Sequence, residues 1–417
     1  MRILFFNEIP DPGVGSSVRL TFELCRALRA LGHETAVVST VRNPQEASPT
    51  EIDDTLVFRL HSDYPVRWRP WVSLHNRRID QPLAATLAEW RPDVVHAQLI
   101  HTHLGYHSLT QARRAGAGVV FTAHDVMTFC YQKLTCFHGG EKHGGKLFDI
   151  QARASKCIPC QRFRFRPGRN RSIREVLGED VNRMTVVSDA LGELLTANGL
   201  RVDRTLHNAL DFGGALPEPD AVRAFREQHG LAEARVIAIG GRLHSQKGMG
   251  KALEMLAILK NEFADVRLLV MGQREIYDQE FAPQAEALGV GERVVPTGWL
   301  EGQELDLAYA AVDVLITPSL CFDTFGMVNL EAMRHAKPVV ATTFGGSREV
   351  LEEGVTGYLA NPFDVPLFAE RIAQLLRDPQ LCLRMGRAGR ARLEQRFGIE
   401  RLAAECLEEY TLARAGG

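Results

Sequence analysis

The 417-residue sequence predicts an α/β protein of two domains, each built on a parallel sheet. Three observations predict it. The chain is longer than the roughly 250–300 residues over which one hydrophobic core usually grows. Its opening alternates in the βαβ manner, with an apolar run at Ile3–Phe6, an amphipathic helix at Val18–Leu31 and a second run at Glu34–Ser39. The same alternation restarts at Val236–Ile239, followed by a glycine-bearing loop and a helix over Met249–Leu259.

Each element has a local reason. Leu20, Leu24, Ala27, Leu28 and Leu31 form the stripe of the first helix, and Gly32 ends it. Arg91-Pro92 closes a helix before Val94-Val95-His96. Val119–Thr122 is a further strand that ends in Ala123-His124-Asp125. Met184–Val187 is the last strand of the first domain, and Ser188-Asp189 caps the helix after it. In the second half Arg267–Met271, Val294-Val295, Val312–Ile316 and Pro338–Ala341 read as strands. Residues from Leu381 onward and Phe397–Ala413 read as helices. The domain boundary is expected near residue 205, giving 1–205 with 397–417 as one domain and 206–396 as the other.

The formal charge of −2 makes no global case for nucleic acid or a membrane. No apolar run reaches the length of a membrane span, and the short apolar start is not a signal peptide, so a cytoplasmic protein is expected. Locally the balance differs. Arg153 to Arg174 holds eight Lys or Arg residues and no acid, with Phe163 and Phe165 interleaved. Such a segment suits an anionic acceptor, a lipid-linked phosphate or peripheral contact with the inner face of a membrane. Tyr64, Arg67, Trp68, Arg69, Trp71, Arg77 and Arg78 form a second aromatic and basic stretch, read as a solvated loop with two part-buried tryptophans. Cys130, Cys136, Cys157 and Cys160 stand at C-x5-C-x20-C-x2-C, a spacing compatible with a structural zinc ion, with two disulfides or with free thiols.

Candidate functional residues lie where strands feed helices. Gly13, Gly15 and Ser16, between the first strand and helix, could present backbone N–H groups to a phosphate or an acceptor hydroxyl. Gly241, Arg242 and Lys247 lie in Gly240–Gly248, a loop at a helix start suited to a diphosphate. Thr317–Ala341 carries Pro318-Ser319, two acids at Asp323 and Glu331, and Phe325-Gly326-Met327 at the start of a helical pattern. The end of a strand in an open α/β sheet is where such folds bind ligands.

The run Pro-Ser-x-x-x-Asp-x-Phe-Gly-x-x-x-Leu-Glu-Ala-Met resembles the signature of the family 4 retaining glycosyltransferases with the GT-B fold, with Asp323 where the family usually has Glu. Gly-Arg-Leu followed by Lys-Gly resembles the family's diphosphate clamp, and His207-Asn208-Ala209-Leu210-Asp211 its interdomain linker. The resemblance implies two Rossmann-like domains facing a central cleft, with a C-terminal helix crossing back to an acceptor-binding N-domain. It implies a nucleoside diphosphate sugar as donor, a hydroxyl acceptor and no cofactor needed for catalysis. Arg242 and Lys247 would meet the diphosphate, as would the backbone at Phe325, Gly326 and Met327. Glu331 would take the ribose, Asp323 a donor-sugar hydroxyl, the strand end near Leu300 the base, and His124 the sugar, with Asp125 beside it. Two other readings remain at this stage: an epimerase on the same fold, and a nucleotide-sugar-binding protein that has lost catalysis.

Overall fold

A computed structural model describes residues 1–146 and 148–416. The chain divides into two compact units. The first comprises Met1–Leu134, Ile150–Ala209 and Ile399–Gly417; the second comprises Thr135–Asp149 and Leu210–Gly398. The switch near residue 209 lies close to the expected boundary, but Thr135–Asp149 folds with the second unit although its neighbours on both sides fold with the first.

The first unit is an eight-stranded sheet. Its strands are β1 (Arg2–Asn7), β2 (Glu34–Val41), β3 (Thr50–Ile52), β4 (Thr55–His61), β5 (Val94–Leu99), β6 (Gly118–Ala123), β7 (Arg183–Val186) and β8 (Arg204–Thr205). Their order is β3-β4-β2-β1-β5-β6-β7-β8. All pairs are parallel except β3 on β4. β1 and β6 are apolar runs buried almost end to end, as strands covered on both faces must be. The β3–β4 hairpin is not foreseen in the sequence. Its signal is Asp53-Asp54, whose φ values of 47° and 55° suit the two-residue turn whose twist matches paired strands.

The helix Ser16–Ala30 buries Leu20, Leu24 and Leu28 on this sheet, and the core also takes Leu402, Ala403 and Tyr410 of the last helix, Ile399–Ala415. Close packing holds that helix. A Cβ on Gly118 would sit 3.0 Å from the carbonyl carbon of Ala413. Two polar ties fix its register. The Tyr410 hydroxyl lies 2.8 Å from His96 Nδ1, and Arg183 Nε is 2.7 Å from Glu409 Oε2, whose side chain is only 1% exposed. Val66–Trp68 and Arg69–Val72 form short helical turns, and Trp68 and Trp71 are 47% and 42% exposed, more open than the sequence suggested.

The second unit is a six-stranded parallel sheet: β9 (Arg235–Gly240), β10 (Val266–Met271), β11 (Val294–Gly298), β12 (Val314–Thr317), β13 (Val339–Thr342) and β14 (Gly357–Ala360). The order β11-β10-β9-β12-β13-β14 reverses direction between β9 and β12. Such a switch point leaves a crevice beyond the carboxyl ends of the two central strands. Ile237, Ile239, Leu253, Leu256, Phe368 and Ile372 fill the core between sheet and helices. No described helix is long and apolar enough to cross a membrane.

Two buried histidines in the first unit make it acid-sensitive. His96, between Tyr410 and Thr122, is driven by burial to a pKa of about 3. His124, just past β6, is pushed down to about 4, chiefly by burial and also by His101, with Asp125 opposing. Both imidazoles stay neutral in the fold while the unfolded chain takes up protons below its ordinary histidine pKa. The unfolding free energy should therefore fall as pH drops from about 6.5 towards 4, and His96→Asn should make that fall shallower. Denaturant titrations across this range check it. Equal slopes for wild type and variant would refute it.

Candidate functional site

The crevice of the second unit is built by loops from three strands. The loop after β9 contains Gly241 and Arg242, then a short turn Ser245–Lys247 and Gly248, from which the helix Met249–Leu259 departs. The loop after β12 runs through Ser319 and Asp323 to Gly326, where the helix Met327–Arg334 starts. The loop after β13 carries Gly345 and Gly346.

Gln246 stitches the first two loops, because its carbonyl accepts from the N–H groups of Leu320 (2.8 Å) and Cys321 (3.1 Å). Gly248 has φ +83°, and a Cβ there would lie 1.9 Å from the Pro318 carbonyl oxygen. Only glycine lets the two backbones approach so closely. Asp323 joins the second and third loops. Its carbonyl accepts from Gly346 N–H at 2.8 Å, and a Cβ on Gly345, at φ +94°, would sit 2.0 Å from that oxygen. Gly326, at φ +84°, turns the chain into the helix, and Asn329 Nδ2 packs where its Cβ would be.

The side chains gathered here are polar and charged. Lys247 Nζ lies 2.9 Å from Asp323 Oδ2, and Ser319 Oγ donates to the same oxygen at 3.0 Å. The Asp323 side chain is 9% exposed and that of Lys247 38%. Burial lowers the pKa of the Lys247 ammonium, but Asp323 outweighs it and holds the pKa above the ordinary lysine value. Arg242 is exposed on the same loop. Glu331, one turn into its helix and half-buried, accepts from the Tyr309 hydroxyl at 2.6 Å through Oε2. Tyr309 stacks on His335, with ring centroids 5.8 Å apart. Phe325 is buried edge-on against Phe397, while Leu300 is half-buried just past β11.

The sequence singled out Gly241, Arg242, Lys247, Asp323, Phe325, Gly326, Met327 and Glu331, and the structure brings them to the ends of β9 and β12. Sequence reasoning missed two contributors. Tyr309 lies on the helix Gly302–Ala311, whose sequence carries no recognisable motif. The segment Thr135–Asp149 is the other. His138 Nε2 donates to the Leu320 carbonyl at 2.8 Å and stacks on Phe344, Phe137 packs edge-on against Phe322 and Phe344, and Asn361 donates to the Gly144 carbonyl at 2.7 Å. Phe137, Lys146, Phe322, Phe344, Gly345 and Arg348 line a cavity of about 250 Å³ beside the Asp323 loop.

In the first unit, β1 and β5 flank the corresponding switch point. Glu8 binds the N–H groups of Thr102 and His103, at 2.8 and 2.7 Å, and ties the two loops together. Gly13 N–H is taken by Asp11. Gly15 has extended backbone, φ 174°, and nothing lies within 4 Å of where a Cβ would stand, so it is not held by a steric demand for glycine. Asp125 accepts from Met127 N–H at 2.7 Å and lies 3.3 Å from His101 Nε2.

Cys130, Cys136, Cys157 and Cys160 are thiols, and no three of them bring their sulfurs within 4.8 Å of one another. Cys157 and Cys160 share the helix Ala154–Gln161, whereas Cys136 folds with the second unit and the others with the first.

Residues 17–211 match the family described as Glycosyltransferase Family 4, and residues 222–392 match Glycosyl transferases group 1. Spore coat protein SA of Bacillus subtilis is 23% identical over 98% of both chains. Among solved structures, sucrose-phosphate synthase of Thermosynechococcus elongatus superposes with a TM-score of 0.77 at 19% identity over the whole of both chains. Anabaena HepE, solved with UDP and glucose, gives 0.72 at 19% identity over 98% of both.

Gly248→Ala should cost at least about 1–2 kcal/mol, from the left-handed backbone alone, before the collision with Pro318 is counted. Gly15→Ala, with open space and extended backbone, should stay within about 0.5 kcal/mol of wild type. Urea midpoints compare the two, and equal midpoints would contradict the packing described.

Proposed function

This chain belongs to the GT4-like glycosyltransferases of GT-B fold, and on that basis we propose that it moves a sugar from a nucleoside diphosphate sugar to a hydroxyl acceptor with retention of configuration. The observation that carries the donor assignment is the convergence of Arg242, Lys247 and Glu331 on the loops at the β9/β12 switch point of the second unit. The UDP and glucose bound by Anabaena HepE support the same class of donor.

In this reading the leaving diphosphate gathers charge as the glycosidic bond breaks. Arg242, Lys247 and the backbone N–H groups that open the helix Met327–Arg334 stabilise that charge, and the transfer needs no divalent cation. Lys247 is already paired with Asp323, whereas Arg242 is exposed on the same loop. Glu331, oriented by Tyr309, accepts from the ribose hydroxyls. Asp323, held by Lys247 and Ser319, accepts from a hydroxyl of the donor sugar. His124 serves as a neutral hydrogen-bonding imidazole for the sugar, since its low pKa makes it a poor proton store at neutral pH. Retention follows from front-face attack, in which the departing phosphate oxygen takes the acceptor proton. The acceptor is assigned to the first unit.

Thermal melts with UDP, GDP, ADP and TDP test the donor site. One diphosphate at about a hundred times its dissociation constant should stabilise the protein by about 2.7 kcal/mol, with or without a chelator. Glu331→Gln should weaken that nucleotide about tenfold or more, the scale of a hydrogen bond to a charged group. A flat response to all four would sink the donor assignment, and a shift abolished by the chelator would sink the cation-free mechanism.

A further inference from the structure

The first unit holds a cavity of about 480 Å³ that the donor chemistry does not use. Arg153, Arg166, Arg169, Arg171 and Arg174 line it, no Asp or Glu does, and the ring of Tyr131 forms part of its wall. The cavity is where the basic run of the sequence acquires a shape, through the helix Ala154–Gln161 and the helix Arg169–Glu179.

Arg169 marks it as a built site. It is only 3% exposed, and its Cζ lies 4.6 Å from the centre of the Tyr131 ring. One terminal nitrogen donates to the Met127 carbonyl and the other to Asn170 Oδ1, while Nε has no hydrogen-bond partner among the described residues. Its neighbours are also met by neutral oxygens. Arg166 Nη1 donates to the Trp71 carbonyl at 3.0 Å, Arg174 Nη1 to the Asn198 carbonyl at 3.3 Å, and Arg69 Nη2 to the Tyr131 carbonyl at 2.5 Å. Arg171 pairs with the Glu175 carboxylate at 2.8 Å, on the exposed side of its helix. Burial and then the charge of Arg169 depress the pKa of Arg69, against the weaker pull of Asp125 and Glu8. Arg69, Arg166, Arg169 and Arg174 thus meet carbonyl oxygens and ring faces in place of carboxylates, and for the buried Arg169 and part-buried Arg69 this has a cost that an anion in the cavity would offset. The planar fork of arginine suits paired phosphate oxygens in particular.

We infer that this cavity is a second anion site, distinct from the diphosphate loops of the other unit, and that it takes a phosphate ester belonging to the acceptor. Only the assignment to the acceptor rests on the glycosyl-transfer reading. The anion chemistry rests on Tyr131, Arg166, Arg169 and Arg174.

The test uses the full chain carrying Arg242→Ala, which weakens phosphate binding at the donor loops and leaves the Lys247–Asp323 pair in place. Inorganic pyrophosphate and glycerol 3-phosphate are titrated by thermal melting, and vesicles of phosphatidylcholine with and without phosphatidic acid by co-sedimentation. Saturable binding to at least one phosphate probe is expected, weakened about tenfold or more by adding Arg166→Ala and Arg174→Ala at the rim. These two changes leave buried Arg169 in place, and an unaltered melting temperature without ligand shows that the fold survives. Binding of the soluble esters with inert vesicles identifies a soluble phosphorylated acceptor. Binding confined to phosphatidic acid vesicles identifies a lipid headgroup. No binding to any probe, or binding that ignores the rim changes, overturns the inference. Because no donor or turnover is needed, that failure would leave the nucleotide melts of the unsubstituted protein, and the transfer reading, untouched.

Discussion

The buried carboxylate of Asp323 is the contact on which the second unit's crevice depends. It takes the Lys247 ammonium from the β9 loop and the Ser319 hydroxyl from its own loop, while its backbone carbonyl takes Gly346 from the β13 loop. Three loops are thereby set by one residue. Lys247 without this partner would be a part-buried charge, and Asp323 without Lys247 a largely buried one; broken buried pairs of this kind cost about 3–5 kcal/mol. Burial and pairing pull Lys247 in opposite directions, and pairing wins. The glycines follow from the same constraint. Gly345 and Gly248 are glycine because neighbouring carbonyl oxygens occupy the space of a Cβ.

The two units use one architecture with different electrostatics. The second unit pairs its buried charge, as Asp323 and Lys247 show. The first also pairs a buried carboxylate, Glu409 with Arg183, and in addition keeps its buried imidazoles neutral, His96 between two hydroxyls and His124 at the end of β6. It also concentrates arginines around Tyr131 against carbonyls and ring faces. One unit thus carries a positively charged loop set at its topological switch point, and the other an arginine-lined cavity away from its own. A transferase whose donor and acceptor both bear phosphate would need two such positive sites, one for each.

Much of the fold was legible because it rests on local patterns. Continuous apolar runs at Ile3–Phe6 and Val236–Ile239 mark parallel strands, and glycine-bearing strand-to-helix turns mark ligand loops. The strand-end placement of Arg242, Lys247, Asp323 and Glu331 was legible because they sit at fixed spacing within two short stretches. The β3–β4 hairpin was missed because Asp53-Asp54 replaces the usual glycine signal with two acidic residues in the left-handed region. Tyr309 was missed because its contact to Glu331 joins residues twenty-two apart through the packing of two helices. The excursion Thr135–Asp149 was missed because spacing along the chain says nothing of where a long excursion goes.

Local pattern was enough for the two Rossmann-like units, for the strand-end position of Arg242, Lys247, Asp323 and Glu331, and for the basic character of Arg153–Arg174. These depend on period, glycine placement and residue type, which are properties of neighbours along the chain. Three outcomes had to wait for the folded chain. Asp323 spends one oxygen on Lys247 and Ser319, Thr135–Asp149 belongs to the second unit, and the arginines surround a cavity. Each is a balance of burial against pairing between residues far apart in sequence, and that balance exists only once the tertiary contacts have formed.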